Sequence, residues 1–168
     1  DINMEIALTY ISDEKFKDAI PYLTNIVNSK DNGLKPKAYL KLGLSHYNSN
    51  NNKEALRNYE ALIQKYPQSV EADEAMGIIK DIYVEEGRPN DYVELMKKNG
   101  KAISVSEADS LNYSAAILRY NSNDCNAAIT SFTSYLNAYP DGAYAIDANY
   151  LRSTCYEKSK DWKNALQG

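Results

Sequence analysis

Apolar residues recur along the chain at helical spacing. Leu56, Tyr59, Ile63 and Tyr66 follow one another at intervals of 3, 4 and 3 residues, which places them on one face of an α-helix. A proline follows such a stripe at position 67 and again at position 140, where it can end one helix and open the next. No alternating run is long enough to predict a β-strand. The pattern therefore predicts an all-α chain.

Polar clusters separate these apolar stripes. The segments 48–52 and 120–124 are rich in Asn and are typical of turns between helices. Ser12, Asp124 and Asp161 lie where helix N-caps are expected. Together the signals predict about ten helices, near 2–11, 13–28, 34–50, 53–66, 69–87, 89–98, 106–123, 125–139, 141–159 and 161–168.

The longest predicted connection runs from Lys97 to Ser106 and contains Gly100. Two interpretations are open. The segment is either a hinge between two groups of helices or a slightly longer connection within a hairpin, and the second interpretation is the simpler.

The chain also repeats itself. The segment that begins at Tyr47 matches the segment that begins at Tyr120, an offset of 73 residues, and the match includes Ala55 with Ala128. Half of this offset is close to the length of one helical hairpin in a repeat protein. Steps of 36 and 37 residues then relate five positions that lie early in alternate helices, namely Ala19, Ala55, Tyr92, Ala128 and Ala165.

These positions resemble the tetratricopeptide repeat family. The second hairpin carries its pattern of aromatic and small residues with a final proline, the fourth carries a shorter version, and the fifth fits in part. His46 replaces an aromatic residue, and Tyr92 stands where a small residue is usual. The residues that carry the resemblance are Tyr39, Leu42, Gly43, Ala55, Tyr59 and Pro67; then Ala116, Ala128, Phe132 and Pro140; and then Ser153, Tyr156, Trp162 and Ala165.

The resemblance implies a right-handed α-solenoid of antiparallel helical hairpins, a tetratricopeptide superhelix. It predicts one array over residues 1–168, with hairpins near 1–33, 34–68, 69–104, 105–141 and 142–168. The last predicted hairpin is incomplete. We therefore expect this chain to be a fragment of a longer one.

A finer motif follows the two prolines. The pattern YPxSxxAxxA around Pro67 and its copy YPxGxxAxxA around Pro140 are similar to bacterial cell-envelope members of the family. Such members include the periplasmic coordinator that accompanies the Tol-Pal system and the lipoprotein of outer-membrane barrel assembly. The similarity implies a periplasmic or outer-membrane-associated protein. A cytoplasmic location is the alternative, because cytosolic members share most of these residues.

In this family the first helix of each hairpin lines a concave binding face, so the resemblance implies a protein or peptide partner. Such a face suits an extended or helical peptide with apolar anchors. A structural array that associates with itself as a homo-oligomer is the alternative function. The Lys/Asn/Arg set that clamps a C-terminal carboxylate in some members is not present. The residues predicted to bind the partner are Lys37, Leu40, Leu44, Tyr47, Asp81, Tyr113, Ile117, Tyr120 and Tyr150.

Composition narrows the remaining function classes. The net charge is −4 and the pI about 5.1, and no basic stripe is present, so nucleic-acid binding is not expected. No apolar run is long enough to predict a membrane span. The chain has 15 Tyr against 2 Phe. Tyrosine, with an apolar ring and a polar tip, suits half-buried helix faces and binding surfaces.

Residues with catalytic or metal-binding chemistry are few. His46 is the single histidine and occupies a packing position. Cys125 and Cys155 form no metal-binding motif. They are interpreted as two unpaired small residues, with a disulfide as the alternative if the protein is exported. No glycine-rich phosphate loop or paired carboxylates are present, so we expect no enzyme, cofactor or metal site.

Overall fold

A computed structural model describes residues 1–30 and 33–165. Within these ranges all regular structure is helical and no strand occurs, so the all-α prediction is confirmed. Most helices pack against the helix that follows them in the chain, consistent with a helical solenoid. The helices are α1 (Ile2–Ser12), α2 (Phe16–Asn28), α3 (Lys35–Asn48), α4 (Asn52–Lys65), α5 (Val70–Glu85), α6 (Pro89–Lys98), α7 (Val105–Asn121), α8 (Cys125–Ala138), α9 (Ala145–Lys158) and α10 (Trp162–Ala165).

The chain divides into two compact units, Asp1–Ile79 and Lys80–Gly168, and the boundary lies inside α5. In the first unit, α1 packs on α2, α2 on α3 and α3 on α4. In the second unit, α6 to α10 pack in the same successive order, and α7 also contacts α9. The connection between α6 and α7 lies within the second unit rather than at the boundary.

The hairpin turns share one backbone conformation and one hydrogen bond. A residue with positive φ recurs at steps of 36 and 37 residues, and the next residue donates its N–H to the carbonyl five residues earlier. In the turn after α3, for example, Asn51 donates to the His46 carbonyl at 2.9 Å. This is the left-handed residue and hydrogen bond that commonly end an α-helix. The five positions and their φ angles are Glu14 (58°), Asn50 (59°), Gly87 (74°), Asn123 (60°) and Lys160 (60°).

Two of the three predicted N-caps are confirmed and one is wrong. The Asp124 carboxylate accepts a hydrogen bond from the Ala127 N–H at 3.0 Å, and Asp161 accepts one from the Asn164 N–H at 3.4 Å. Ser12 is instead the last residue of α1, and its hydroxyl donates to the Thr9 carbonyl at 2.8 Å. Because residues 13–15 form the turn, α2 begins at Phe16 rather than near residue 13.

Small residues let the two helices of a hairpin approach each other. Gly43 of α3 faces the ring of Tyr59 on α4, and a Cβ atom at position 43 would lie 2.6 Å from the ring carbon Cζ. Such a separation is too short for carbon atoms, so glycine is required there by the neighbouring ring. In the equivalent α7–α8 hairpin, Ala116 and Phe132 occupy these positions, and both are fully buried.

Candidate functional site

The predicted binding residues of the second unit lie on two neighbouring helices. Tyr113, Ile117 and Tyr120 are spaced along α7 by 4 and 3 residues, so they share one side of that helix. All three are half-buried. Tyr150 lies on α9, which contacts α7, and its side chain is 70% exposed. We call these four residues the α7–α9 face.

Ile146 extends this surface and was missed by the sequence analysis. It precedes Tyr150 by four residues, so both side chains lie on the same side of α9. Ile146 is 86% exposed, although isoleucine is among the residue types most often buried. The helical pattern of α9 could have identified it, but the sequence analysis carried over only the positions that line the concave face in the resembled family.

Contacts with neighbouring aromatic rings and a lysine hold two residues of the α7–α9 face, Tyr113 and Tyr120, in place. The ring of Tyr113 stacks on that of Tyr144, with centroids 4.4 Å apart and planes within 6° of parallel. Tyr120 meets Phe132 edge to face at 6.4 Å, and the Lys158 ammonium lies 4.9 Å from the Tyr120 ring centroid. Such contacts fix the ring orientations, so Tyr113 and Tyr120 form part of the packing while keeping an accessible surface.

A buried carboxylate holds this aromatic support in place. Asp109 of α7 is 6% exposed. One of its oxygens accepts a hydrogen bond from the Tyr135 hydroxyl at 2.5 Å, and the other accepts one from the Ala143 N–H at 2.8 Å. The Tyr135 oxygen accepts in turn from the Tyr144 N–H at 3.1 Å. The network therefore fixes the turn that places Tyr144 against Tyr113.

The same network explains a boundary that the sequence analysis placed wrongly. The predicted helix near 141–159 begins at Ala145, because residues 142–144 form the turn held by Asp109. A Cβ atom on Gly142 would lie 2.6 Å from the Tyr135 hydroxyl, so glycine fits the crowded turn. Burial, followed by the hydrogen bond to Asp109, raises the pKa of Tyr135 to about 12. Its hydroxyl is therefore protonated and able to donate near neutral pH.

The predicted binding residues outside the α7–α9 face have varied surroundings. Lys37 of α3 is exposed, whereas Leu44 and Tyr47 are half-buried on the same helix. Leu40 is only 3% exposed, so its side chain belongs to the packed interior. Asp81, on the part of α5 that belongs to the second unit, is exposed.

The buried hydroxyl of Tyr59 lowers the stability of the first unit. The side chain is fully buried, and none of the described residues forms a hydrogen bond with its hydroxyl. Burial raises the pKa of Tyr59 above its usual range, and the nearby Glu74 carboxylate and Tyr47 add to this effect. The phenol therefore stays neutral in a place where it gains no hydrogen bond.

Each unit also has an open groove between the second helices of successive hairpins. The groove of the first unit has a volume of about 320 Å³ and includes Tyr39, His46 and Lys65. Burial lowers the pKa of His46, and the Glu54 carboxylate partly offsets this effect. In the second unit the groove has a volume of about 350 Å³ and is lined largely by small polar side chains, among them Asn112, Ser131 and Ser134.

Residues 1–30 and 33–165 hold no cluster of three or more His, Cys, Asp or Glu side chains that could ligate a metal ion. In the same ranges, every helix is too short or too polar to cross a membrane. Cys125 and Cys155 carry free thiols.

Comparison with known proteins gives one result that bears on function. No curated protein matches the chain. One family model does match, over the α3–α4 hairpin that contains Gly43 and Tyr59. Repeats of this family generally mediate protein–protein interactions. Residues 37–69 match the tetratricopeptide repeat.

Proposed function

We propose that this protein is a non-catalytic scaffold that binds a partner protein or peptide through the α7–α9 face. The observation that carries the proposal is the exposure of Ile146 and Tyr150, at 86% and 70%. They lie on α9, which contacts the helix that carries the half-buried Tyr113 and Tyr120. Exposed apolar and aromatic side chains on neighbouring helices are typical of interaction sites. The tetratricopeptide match at residues 37–69 supports the same class of function.

The contacts that fix the ring of Tyr113 favour the binding of a partner at the α7–α9 face. Asp109 fixes the turn that carries Tyr144, and Tyr144 stacks on Tyr113. A surface whose side chains are already ordered loses less conformational entropy when a partner binds. The α7–α9 face thus combines partly fixed rings on α7 with the exposed Tyr150 on α9.

Charge on α9 indicates the chemistry of the partner. Asp147 and Glu157 are exposed on this helix, and Asp147 is close enough to raise the pKa of Tyr113, after the larger effect of burial. Lys158 lies against the Tyr120 ring. An extended or helical segment with apolar anchors and basic flanking residues therefore complements the surface.

Replacing Tyr150 tests the proposal. The partner is first captured from the source cell with the full-length protein and identified by mass spectrometry. Calorimetry then measures its affinity for the native chain and for Tyr150→Ala. We expect Kd to rise by at least about tenfold, the loss of an interfacial aromatic anchor, with an unchanged helical circular dichroism spectrum.

Trp162→Ala is the matched control, because Trp162 is an exposed aromatic residue (61%) that lies on α10. Its affinity for the partner should equal that of the native chain. Equal affinities for all three proteins would contradict a binding role for the α7–α9 face.

Self-association is the second candidate function. It is favoured by the exposure of Ile146, Tyr150 and Trp162 within one unit, since large exposed apolar side chains also occur at homodimer interfaces. Light scattering separates the two functions. The scaffold proposal predicts a monomer at micromolar concentration, whereas a dimer that Tyr150→Ala dissociates would favour self-association.

We also propose that the protein acts in the bacterial cell envelope, in the periplasm or at the outer membrane. The proposal is supported by the extended motif after Pro67 and its copy after Pro140, which resemble envelope members of the family. Fractionation of the source cell, with antibody detection of the full-length protein, should find it in the periplasmic or outer-membrane fraction. Recovery in the cytoplasm alone would contradict this location.

A further inference from the structure

The two cysteines lie on neighbouring helices of the second unit. Cys125 is the first residue of α8 and is half-buried, whereas Cys155 lies near the end of α9 and is fully buried. Both residues pack in the apolar cluster that contains Phe132 and Tyr135. The Cys125 thiol lies within hydrogen-bonding reach of Cys155.

Other contacts place the end of α9 beside the start of α8. Lys158, three residues after Cys155, lies 4.9 Å from the ring centroid of Tyr120. Tyr120 is close to the end of α7, and only the short turn at 122–124 separates α7 from Cys125. Since α8 and α9 also pack along their lengths, the two thiols meet between elements that are already held together.

We infer that Cys125 and Cys155 form a redox modification site, which closes to a disulfide between α8 and α9 when the protein meets a small-molecule disulfide such as oxidised glutathione. The reaction requires no protein partner. Both thiols lie within one packed unit, so forming the disulfide does not require distant parts of the chain to come together.

The reaction proceeds by two exchanges. The thiolate of Cys125 attacks one sulfur of oxidised glutathione, which forms a mixed disulfide and releases one glutathione thiolate. The thiolate of Cys155 then attacks the Cys125 sulfur and releases the second glutathione. The two protein thiols lose two electrons and two protons in total, and one molecule of oxidised glutathione is reduced to two thiols.

The order of attack follows from exposure. Cys125 is accessible to a solute, while Cys155 is enclosed by the cluster. Burial raises the pKa of Cys155 to about 12, with a further contribution from its contact with Cys125 and an opposing one from the Lys158 ammonium. Since the thiolate is the attacking species, the second exchange is the slower one near neutral pH and accelerates as the pH rises.

The disulfide would constrain the unfolded chain. Its two cysteines are 30 residues apart, and a cross-link that closes a loop of this size lowers the entropy of the unfolded state. We expect the oxidised protein to unfold at a temperature higher by roughly 10 °C than the reduced protein. Dithiothreitol should reverse the shift.

The test is oxidation of the full chain with oxidised glutathione at pH 8.5, followed to its end point by intact mass and peptide mapping. The expected product is a monomer that has lost two hydrogen atoms, with Cys125 and Cys155 joined in one cross-linked peptide pair. A product that keeps both thiols, retains glutathione at the end point or becomes a cross-linked dimer would overturn the inference.

Two single variants provide matched controls. Cys155→Ala keeps the accessible thiol and should end with one bound glutathione on Cys125. Cys125→Ser keeps only the enclosed thiol and should resist modification while the protein is folded. Rapid modification of Cys125→Ser, in a protein whose circular dichroism matches the native chain, would contradict the proposed order of attack.

Discussion

The α3–α4 hairpin of the first unit and the α7–α8 hairpin of the second are related by the 73-residue repeat, yet they pack differently. Gly43 meets the ring of Tyr59 in the first, whereas Ala116 and Phe132 take these positions in the second. Leu62 is fully buried at the position that Tyr135 occupies in the second hairpin. The first hairpin is thus packed by the close approach of a glycine and a ring, whereas the second is stabilised by a buried polar network.

The difference extends to the turn that follows each hairpin. Before α5, the Ser69 hydroxyl accepts a hydrogen bond from the Ala72 N–H at 3.1 Å, within the turn itself. Before α9, the turn is held from outside by Asp109, a residue 34 positions earlier in the chain. The repeat therefore preserves the helical framework while different interactions stabilise the turns, and the long-range one supports the α7–α9 face.

The largest expected effect comes from removing the buried carboxylate. Asp109→Ala leaves the Tyr135 hydroxyl and the Ala143 N–H without their acceptor, and should lower the free energy of unfolding of the second unit by about 3 kcal/mol. Hydrogen exchange of residues 143–158 measures the change within this unit. Glu107→Ala is an exposed control on the same helix. A loss below about 1 kcal/mol for Asp109→Ala would show that the network contributes little.

Converting Gly43 to the alanine of the other repeat should have the next largest effect. The added Cβ atom overlaps the Tyr59 ring, and overpacking of this kind costs about 2 kcal/mol. Urea unfolding followed by circular dichroism provides the measurement. Gly77→Ala is the matched control, because a Cβ atom there meets no atom within 4 Å. Similar effects of the two substitutions would mean that the ring is free to move away.

Removing the Tyr59 hydroxyl should have a smaller and opposite effect. Tyr59→Phe gives the first hairpin the residue type found at position 132 and eliminates a buried hydroxyl that gains no hydrogen bond. We expect the free energy of unfolding to rise by about 1 kcal/mol. Tyr135→Phe is the contrasting variant, since its hydroxyl donates to Asp109, and it should destabilise the protein. Loss of stability in both variants would remove the proposed distinction.

The smallest effect concerns the type of hairpin turn, with one residue of positive φ, that occurs in both units. Lys160 has a φ of 60°, a conformation that costs about 1 kcal/mol for residues other than glycine. Lys160→Gly should therefore stabilise the turn by about 0.5 kcal/mol, after the greater entropy of unfolded glycine is included. Gly87→Ala, at the equivalent turn with a φ of 74°, should destabilise it. Thermal unfolding of both variants checks the opposite signs.

The helical framework was predictable because its signals are local. The stripe that contains Leu56 and Ile63, the Asn residues of the turns and the cap at Asp124 all act within a few residues, and the structure agrees with each. The N-cap prediction at Ser12 was wrong because a serine near a helix end can donate to a preceding carbonyl as well as accept from a following N–H.

The support of the candidate site was not predictable in this way. Asp109 and Tyr135 are 26 residues apart and meet only after α7 and α8 have packed, so no local pattern relates them. Positions carried over from the resembled family gave the α7 residues of the face and Tyr150. They did not indicate that Leu40 is buried or that Ile146 is exposed.

Photo-crosslinking at position 150 tests the central claim most directly. The full-length protein, with a photo-reactive phenylalanine analogue in place of Tyr150, is irradiated in the source cell and compared with the same substitution at Trp162. The account predicts a cross-link from position 150 to a different protein, and none from position 162. A cross-link from both positions alike, or from position 150 only to a second copy of this chain, would contradict it.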